Sequence, residues 1–287
     1  MTIIEAINHA ASQLSAAGIS TARLDAEVLL RHVTGRDRSW LLAHMRDELA
    51  DEHRKAFERT IERRARREPL QYIVGMQEFW GLEFIVTPDV LIPRPETELI
   101  VETALGSAQD RNKPLTIMDL CTGSGCIAVS LAKELPAARI FATDRSEQAL
   151  GIARDNARRH GVSDRIRFLA GDLFEPISEL DIAGRADIIV ANPPYVPSGD
   201  VQTLPPEVGS FEPGLALVAG PTGMELHGRI IGAAPRFLKT QGLLIMEMGI
   251  GQAEKLVHTI HENGAFEEPR VVKDLAGIER VIVARTT

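Results

Sequence analysis

The chain reads as an α/β protein, a doubly wound and mostly parallel sheet preceded by a small all-helical domain and joined to it by a β-hairpin. Three observations predict this. From about residue 114, short apolar runs alternate with amphipathic stretches; residues 1 to about 70 carry helical periodicity without a strand signal; and "FWGLEFIV" at 79–86, between them, is a β-rich run flanked by turn residues. The expected division is a helical domain at 1–75, a hairpin connector at 76–95 and an α/β domain at 96–287.

In the helical part, Ile4, Ile7, Ala11 and Leu14 form one stripe that Gly18 ends. Ser20 or Thr21 can cap the next helix, whose apolar face is Leu24, Val28 and Leu29. "TGRDR" at 34–38 is a break, "SWLLAHM" resumes, and a polar helix runs from about Asp51 to Arg67. Its Arg59, Arg63, Arg66 and Arg67 fall on one face. They are either a solvated surface paired with Glu58, Glu62 and Glu68 or a docking patch for an acidic partner, with the first reading favoured. In the connector, "VLI" at 90–92 is expected as a second strand beside "FWGLEFIV", and Pro93 and Pro95 stiffen the approach to a helix near Glu96.

The α/β part then reads in order: "LTIMDL" strand, 125–134 helix, "RIFATD" strand, "SEQALGIARDNARRHG" helix, "IRFLAGD" strand, "ADIIVANPP" strand, 223–238 helix and "GLLIMEMG" strand. The tail suggests two strands joined at Gly277, an antiparallel pair at the sheet edge. Residues 197–222, with five prolines, are the least structured stretch and are expected to shape the substrate site.

The formal charge of -8 is unevenly spread: residues 1–75 carry 12 basic and 11 acidic side chains, and residues 76–287 carry 20 and 29. An acidic surface repels duplex phosphates, so no stable nucleic-acid complex is expected. "MTIIEAINHA" lacks the pattern of a secretory leader and no apolar run approaches a membrane-spanning length, so a soluble, cytoplasmic protein without membrane contact is expected, and a monomer suffices. Cys121 and Cys126 have no histidine close in sequence. Neither a zinc site nor any other metal is expected, and the thiols read as reduced.

"DLCTGSGC" at 119–126 follows the first strand of the sheet and opens a helix. Gly123 and Gly125 permit a tight turn around Thr122, and the free N–H groups of the helix start can receive a ligand. The spacing departs from the dinucleotide fingerprint, and the lysine of a P-loop is missing. Asp144 ends the second strand, where a carboxylate can accept from both ribose hydroxyls. Asp172 ends the third and can meet an adenine amino group, with Leu173 or Phe174 beside the ring, while Asp119 orients the loop or faces a cationic part of the ligand. Each acid alone could equally be a helix cap or a turn residue. Together they suit a nucleoside bearing a sulfonium better than a polyphosphate.

"NPPY" closes the fourth strand. Asn192 offers a carboxamide oxygen and Pro193 only a carbonyl, so two acceptors can converge on a substrate NH2. Pro194 restricts Pro193 to extended geometry, and Tyr195 can pack against a planar substrate. An amide or aromatic amine has its lone pair delocalised, so holding both N–H groups would aim the nitrogen and stabilise the charge that develops on it.

On "DLCTGSGCIAV", "ATD", "GDLFEP", "ANPPYVP", "EPLQYIVG", "LIPRPETE", the "FEP" at 211–213 and "EMGIGQ", nearly the whole chain resembles the Rossmann-like class I methyltransferases. Within them it resembles the protein-(glutamine-N5) methyltransferases that modify bacterial peptide chain release factors. The resemblance implies S-adenosylmethionine as cofactor and the glutamine of the Gly-Gly-Gln motif of class 1 release factors as target. It places the glutamine amide on Asn192 and the Pro193 carbonyl, with Pro194 and Tyr195 shaping the pocket and Leu91, Pro93 and Arg94 at its entrance. Asp119, Thr122, Gly123, Asp144, Asp172 and Leu173 fall on the cofactor side with Gly125 shaping the loop, and Asn192, between cofactor and substrate, is counted with both. The helical domain would contact the release factor. Cys121 stands where the family commonly has glycine, which requires an ordinary dihedral or tolerated strain. "NPPY" is shared with adenine-N6 methyltransferases. Glutamine methylation of a ribosomal protein is the closer alternative, and a non-catalytic nucleotide-binding scaffold the more distant one.

Overall fold

The computed structural model describes residues 1–108 and 110–287. It comprises two compact units, Met1–Met76 with Pro205–Phe211, and Gln77–Leu204 with Glu212–Thr287. All but the first residue of the expected connector therefore groups with the α/β part, and a short segment from the proline-rich stretch groups with the helices.

The first unit holds α1 (Ile3–Ala16), α2 (Ala22–Thr34), α3 (Arg38–Ala43), α4 (Asp51–Ala65) and α5 (Leu70–Val74). A capping box starts α1: Glu5 N–H donates to Thr2 Oγ1, and Thr2 N–H donates to Glu5 Oε2. Ile3, Ala6, Ile7, Ala10 and Leu14 are its buried face; Ile4 and Ala11 lie on the flanks. The reading of α2 needs correction. Leu24 is 55% exposed and Val28 only half-buried, while Asp25, Ala26, Leu29 and Leu30 turn inward. The reason is an ion pair: Arg64 Nε donates to Asp25 Oδ2 at 2.7 Å, with both side chains buried.

The arginine face of α4 is also smaller than its spacing suggests. Arg63 pairs with Glu68, and Arg67 reaches Glu207 at 2.7 Å and the Gly18 carbonyl at 2.8 Å. Glu58 pairs with Arg54 instead. Arg59 and Arg66 remain exposed without an ion-pair partner among the described residues.

The second unit follows in chain order as β1 (Met76–Phe79), β2 (Leu82–Ile85), α6 (Glu98–Ser107), β3 (Thr116–Leu120), α7 (Cys126–Glu134), β4 (Arg139–Asp144), α8 (Glu147–Arg159), β5 (Ile166–Ala170) and α9 (Glu175–Ser178). Then come β6 (Ala186–Ala191), α10 (Pro206–Phe211), α11 (Gly214–Leu217), α12 (Glu225–Ala233), β7 (Leu238–Glu247), α13 (Ala253–Asn263), β8 (Arg270–Lys273) and β9 (Glu279–Arg285). Of these, Met76 and α10 belong to the first unit.

Strands β3 to β9 form one sheet in the order β5-β4-β3-β6-β7-β9-β8. β5, β4, β3, β6 and β7 are parallel, and β9 and β8 add an antiparallel edge. The strands read as continuous apolar runs because both faces are buried. Ile117, Ile188, Val190, Leu243 and Ile245 enter one core, while Met118, Ile189, Ala191, Leu244 and Met246 enter the other. Burying each large aliphatic side chain contributes roughly 2 kcal/mol. Strand order reverses at β3, between β4 and β6, which opens a crevice at the carboxyl ends of these strands.

The hairpin is β1–β2 alone, turning at Trp80 and Gly81, both at positive φ. Phe79 and Phe84 meet edge to face beneath it. The expected strand at 90–92 is corrected: Val90–Ile92 is irregular, bounded by Pro88 and Pro93, and the Ile92 N–H donates to the Glu212 carboxylate rather than to a strand. The helix expected at 223–238 stops at Ala233 and becomes a 3-10 turn at Ala234–Arg236, where Pro235 cannot continue it. β7 begins four residues before the expected Gly242. The 197–222 stretch is more ordered than its prolines suggest, holding α10, α11 and a 3-10 turn at Val201–Thr203.

Candidate active site

The loop from β3 into α7 is held from three directions. Thr122 N–H donates to the Thr143 carbonyl at 3.0 Å, Gly123 N–H donates to Asp144 Oδ2 at 2.9 Å, and Thr122 Oγ1 donates to Asp119 Oδ2 at 2.6 Å. Asn156, buried on α8, adds a fourth tie by donating to the Ser124 carbonyl at 2.9 Å. Gly125 (φ 78°) has no alternative: a Cβ there would stand 3.0 Å from that of Ala153. Cys121 does adopt a strained dihedral, φ 58°, as does Leu173 at φ 51°, and both line the same cavity.

That cavity, about 330 Å³, lies at the carboxyl ends of β3, β4 and β6. Thr122, Gly123, Asp144, Asp172, Leu173, Asn192, Leu91, Pro93 and Pro194 form part of its wall. Asp119, Gly125, Arg94, Pro193 and Tyr195 do not. Asp119 lies fully buried under the loop, so it orients Thr122 rather than facing a ligand. Arg94 is ion-paired with Glu212, tying "LIPRP" to "FEP". Tyr195 donates its hydroxyl to Glu247 at 3.2 Å, and the Pro193 carbonyl has no partner among the described residues. The proline-rich stretch does reach the cavity, through Pro213, Leu215 and Ala216.

The floor is acidic and buried. Burial pushes the Asp119 carboxyl up to about 7 and raises Asp144 as well, the latter opposed by the N–H groups of Ser146 and Gly123. Burial, reinforced by Asp144, Asp119 and Asp172, drives the Cys121 thiol upward, away from any nucleophilic role. Asp172 pairs with Arg229 through Oδ2 at 2.8 Å, while its Oδ1 and the Thr143 hydroxyl are buried without a partner among the described residues. These unpartnered polar groups, an acceptor on Asp172 and a hydroxyl that both donates and accepts, fit with the mostly apolar wall a nucleoside bearing hydroxyl and amino groups.

Four residues lie outside the expected site set, although Glu247 and Gln252, near a strand end, read from sequence either as able to touch the site or as a buried network and a helix start. Glu247, buried, accepts from Thr97 Oγ1 at 2.6 Å and from Tyr195, and Thr97 Oγ1 in turn accepts from Asn192 Nδ2 at 3.1 Å. Gln252 donates to the Tyr195 carbonyl at 3.1 Å. A lone acid in the apolar run "LLIMEMG" is what marks Glu247 in the sequence. Nothing local marks Thr97 or Arg229.

Two family descriptions match the chain, the PrmC N-terminal domain over residues 5–75 and the methyltransferase domain over residues 111–277. The release factor glutamine methyltransferase of Geobacter sulfurreducens is 42% identical over 99% of this chain and 96% of its own length. That of Moorella thermoacetica is 42% identical over 99% and 98%. A crystal structure of a methyltransferase from Pyrococcus furiosus, 18% identical, superposes with a TM-score of 0.53 over 78% of this chain and 98% of its own, and shows the shared fold. The chain is an S-adenosylmethionine-dependent methyltransferase, with the Rossmann-like class I fold preceded by a helical bundle, and it belongs to the release factor glutamine methyltransferase family.

Proposed function

We propose that this enzyme transfers a methyl group from S-adenosylmethionine to the side-chain amide nitrogen, N5, of the glutamine in the Gly-Gly-Gln motif of class 1 peptide chain release factors. The observation that carries the reading is the state of Asn192: it lines the cavity, its amino group is spent on Thr97, and its oxygen has no partner among the described residues. That oxygen and the Pro193 carbonyl accept the two N–H groups of the glutamine amide.

Asp144 and Asp172, with Thr122, Gly123 and Leu173, hold the cofactor, which when bound supplies the methyl and leaves as a neutral thioether. Asn192 and Pro193 orient the nitrogen and stabilise the positive charge that grows on it as the C–N bond forms. A strong base is not needed beforehand; the extra proton passes to water after transfer. Leu91 and Pro93 line the entrance, with Arg94 held beside it by Glu212. We assign residues 1–75 to docking of the release factor, 76–95 to the connector and 96–287 to methyl transfer. The enzyme works in the cytoplasm as a monomer, without a stable nucleic-acid complex.

The test is incubation with labelled S-adenosylmethionine and, separately, an unmodified class 1 release factor, an intact ribosomal protein and adenine-containing DNA. One methyl mapped to the glutamine of Gly-Gly-Gln is the expected result. Transfer only to another candidate would keep the chemistry and overturn the partner.

A further inference from the structure

We propose that Glu247 is a positioning residue that sets the direction of the Asn192 amide through Thr97, so that the oxygen rather than the amino group faces the substrate. The inference rests on the reading of Asn192 as the residue that receives the glutamine amide.

A carboxylate has only acceptors, and a threonine hydroxyl has one hydrogen. Glu247 Oε2 takes that hydrogen from Thr97 at 2.6 Å. Thr97 Oγ1 is then left with lone pairs only, so its neighbour Asn192 must present Nδ2, as it does at 3.1 Å. With the amino group committed inward, Oδ1 is the end left for the substrate. The other carboxylate oxygen accepts from the Tyr195 hydroxyl, so one buried side chain grips both ends of "NPPY". Glu247 does not line the cavity, and Thr97 does.

The relay has a second, inverted arrangement. A protonated Glu247 can donate to Thr97, whose hydrogen then goes to Asn192 Oδ1 and turns the amino group toward the substrate, donor against donor. Thr97 and Tyr195 donate to the carboxyl. Glu96 and Arg280 act on it electrostatically in opposite senses, Arg280 being itself paired with Asp274; His227 contacts its backbone carbonyl at 2.8 Å, and Cys126 lies within its field. Burial holds the carboxyl up to about 6, so the inversion falls just below neutral pH.

The experiment is the pH dependence of kcat with saturating unmodified release factor, for the wild type, Thr97→Val, Thr97→Ser, Glu247→Gln and Asn192→Ala. The wild type should lose activity on the acid side with a midpoint near 6. Glu247→Gln, whose amide can donate to Thr97, should hold the inverted state at every pH. Both it and Thr97→Val should lower kcat by about 10- to 100-fold and abolish the acid limb, while cofactor affinity changes less than about 2-fold. Thr97→Ser, which restores the hydroxyl, should restore both rate and limb. Thr97→Val changes one hydroxyl to a methyl and carries the test alone should Glu247→Gln not fold. Loss of transfer in Asn192→Ala with full kcat and an unchanged acid limb in Thr97→Val would overturn the relay alone. Full transfer by Asn192→Ala would remove the reading of the site, and the relay with it.

Discussion

Asp144 accepts the backbone N–H of Gly123 at 2.9 Å, so the carboxylate that ends β4 is bonded to the loop that ends β3. Its other oxygen accepts the N–H of Ser146 at 2.9 Å, which leaves one lone pair on each oxygen for a ligand. The same acid therefore shapes the loop and lines the cavity with acceptor capacity to spare.

Asp144→Asn removes the charge and converts one acceptor into a donor facing an N–H. Hydrogen bonds to charged groups are worth about 1.5–3 kcal/mol, so the dissociation constant for S-adenosylmethionine should rise about 10- to 100-fold. Calorimetric titration checks this, and an unchanged affinity would separate Asp144 from cofactor binding.

Cys121 holds a left-handed backbone at φ 58°, where a side chain costs about 1 kcal/mol that glycine does not incur. Cys121→Gly should raise the thermal midpoint by about 2 °C and retain methyl transfer. The retained activity is the more telling half, because it excludes the thiol from the chemistry.

Asp119 makes a pH prediction. Its folded-state carboxyl is raised from 3.8 to about 7, chiefly by burial, so its neutral form stabilises the fold fully below about 4. That contribution is lost as pH rises through about 7. Asp119→Asn stays neutral throughout. Relative to the wild type without cofactor, it should therefore gain stability from about pH 4 upward and level off above 7, by a few kcal/mol at about 1.4 kcal/mol per pH unit. Urea denaturation midpoints between pH 5 and 8 measure the difference; a constant offset would refute it.

How much of this was readable in advance follows from the range over which each feature is determined. The runs at Ile188–Val190 and Leu243–Met246 declare strands because a parallel sheet buries both faces, and Asp144 and Asp172 stand where strand ends must. Asp25 could not be told from a surface acid, because its partner Arg64 lies 39 residues away. Val90–Ile92 has strand composition, yet Glu212, 120 residues on, takes the Ile92 N–H. The same separation hid Thr97, which is 95 residues from Asn192. Local propensity reached the elements and the strand-end acids. The side-chain pairings that orient them depend on tertiary placement.

Gly223 marks how tightly the "NPPY" turn is held. It sits at φ 74°, and a Cβ there would lie 2.4 Å from the Tyr195 carbonyl oxygen and 3.1 Å from the Pro197 ring. Gln252 Nε2 bonds that same carbonyl, so moving it away from Gly223 strains that bond. Gly223→Ala should displace Tyr195 and, through the two prolines, the Pro193 carbonyl and Asn192. A shift of about 1 Å at reacting groups lowers rates on the order of 100-fold. The expected result is a fall in kcat of at least about 10-fold with cofactor affinity nearly unchanged, since Gly223 does not line the cavity. Gly228→Ala is the matched control: it lies within α12, a Cβ there meets nothing within 4 Å, and the change should leave kcat intact while adding up to about 1 kcal/mol of helix stability. Equal kcat in the two variants would mean that the turn tolerates movement, and that its rigidity is not what aims the substrate amide.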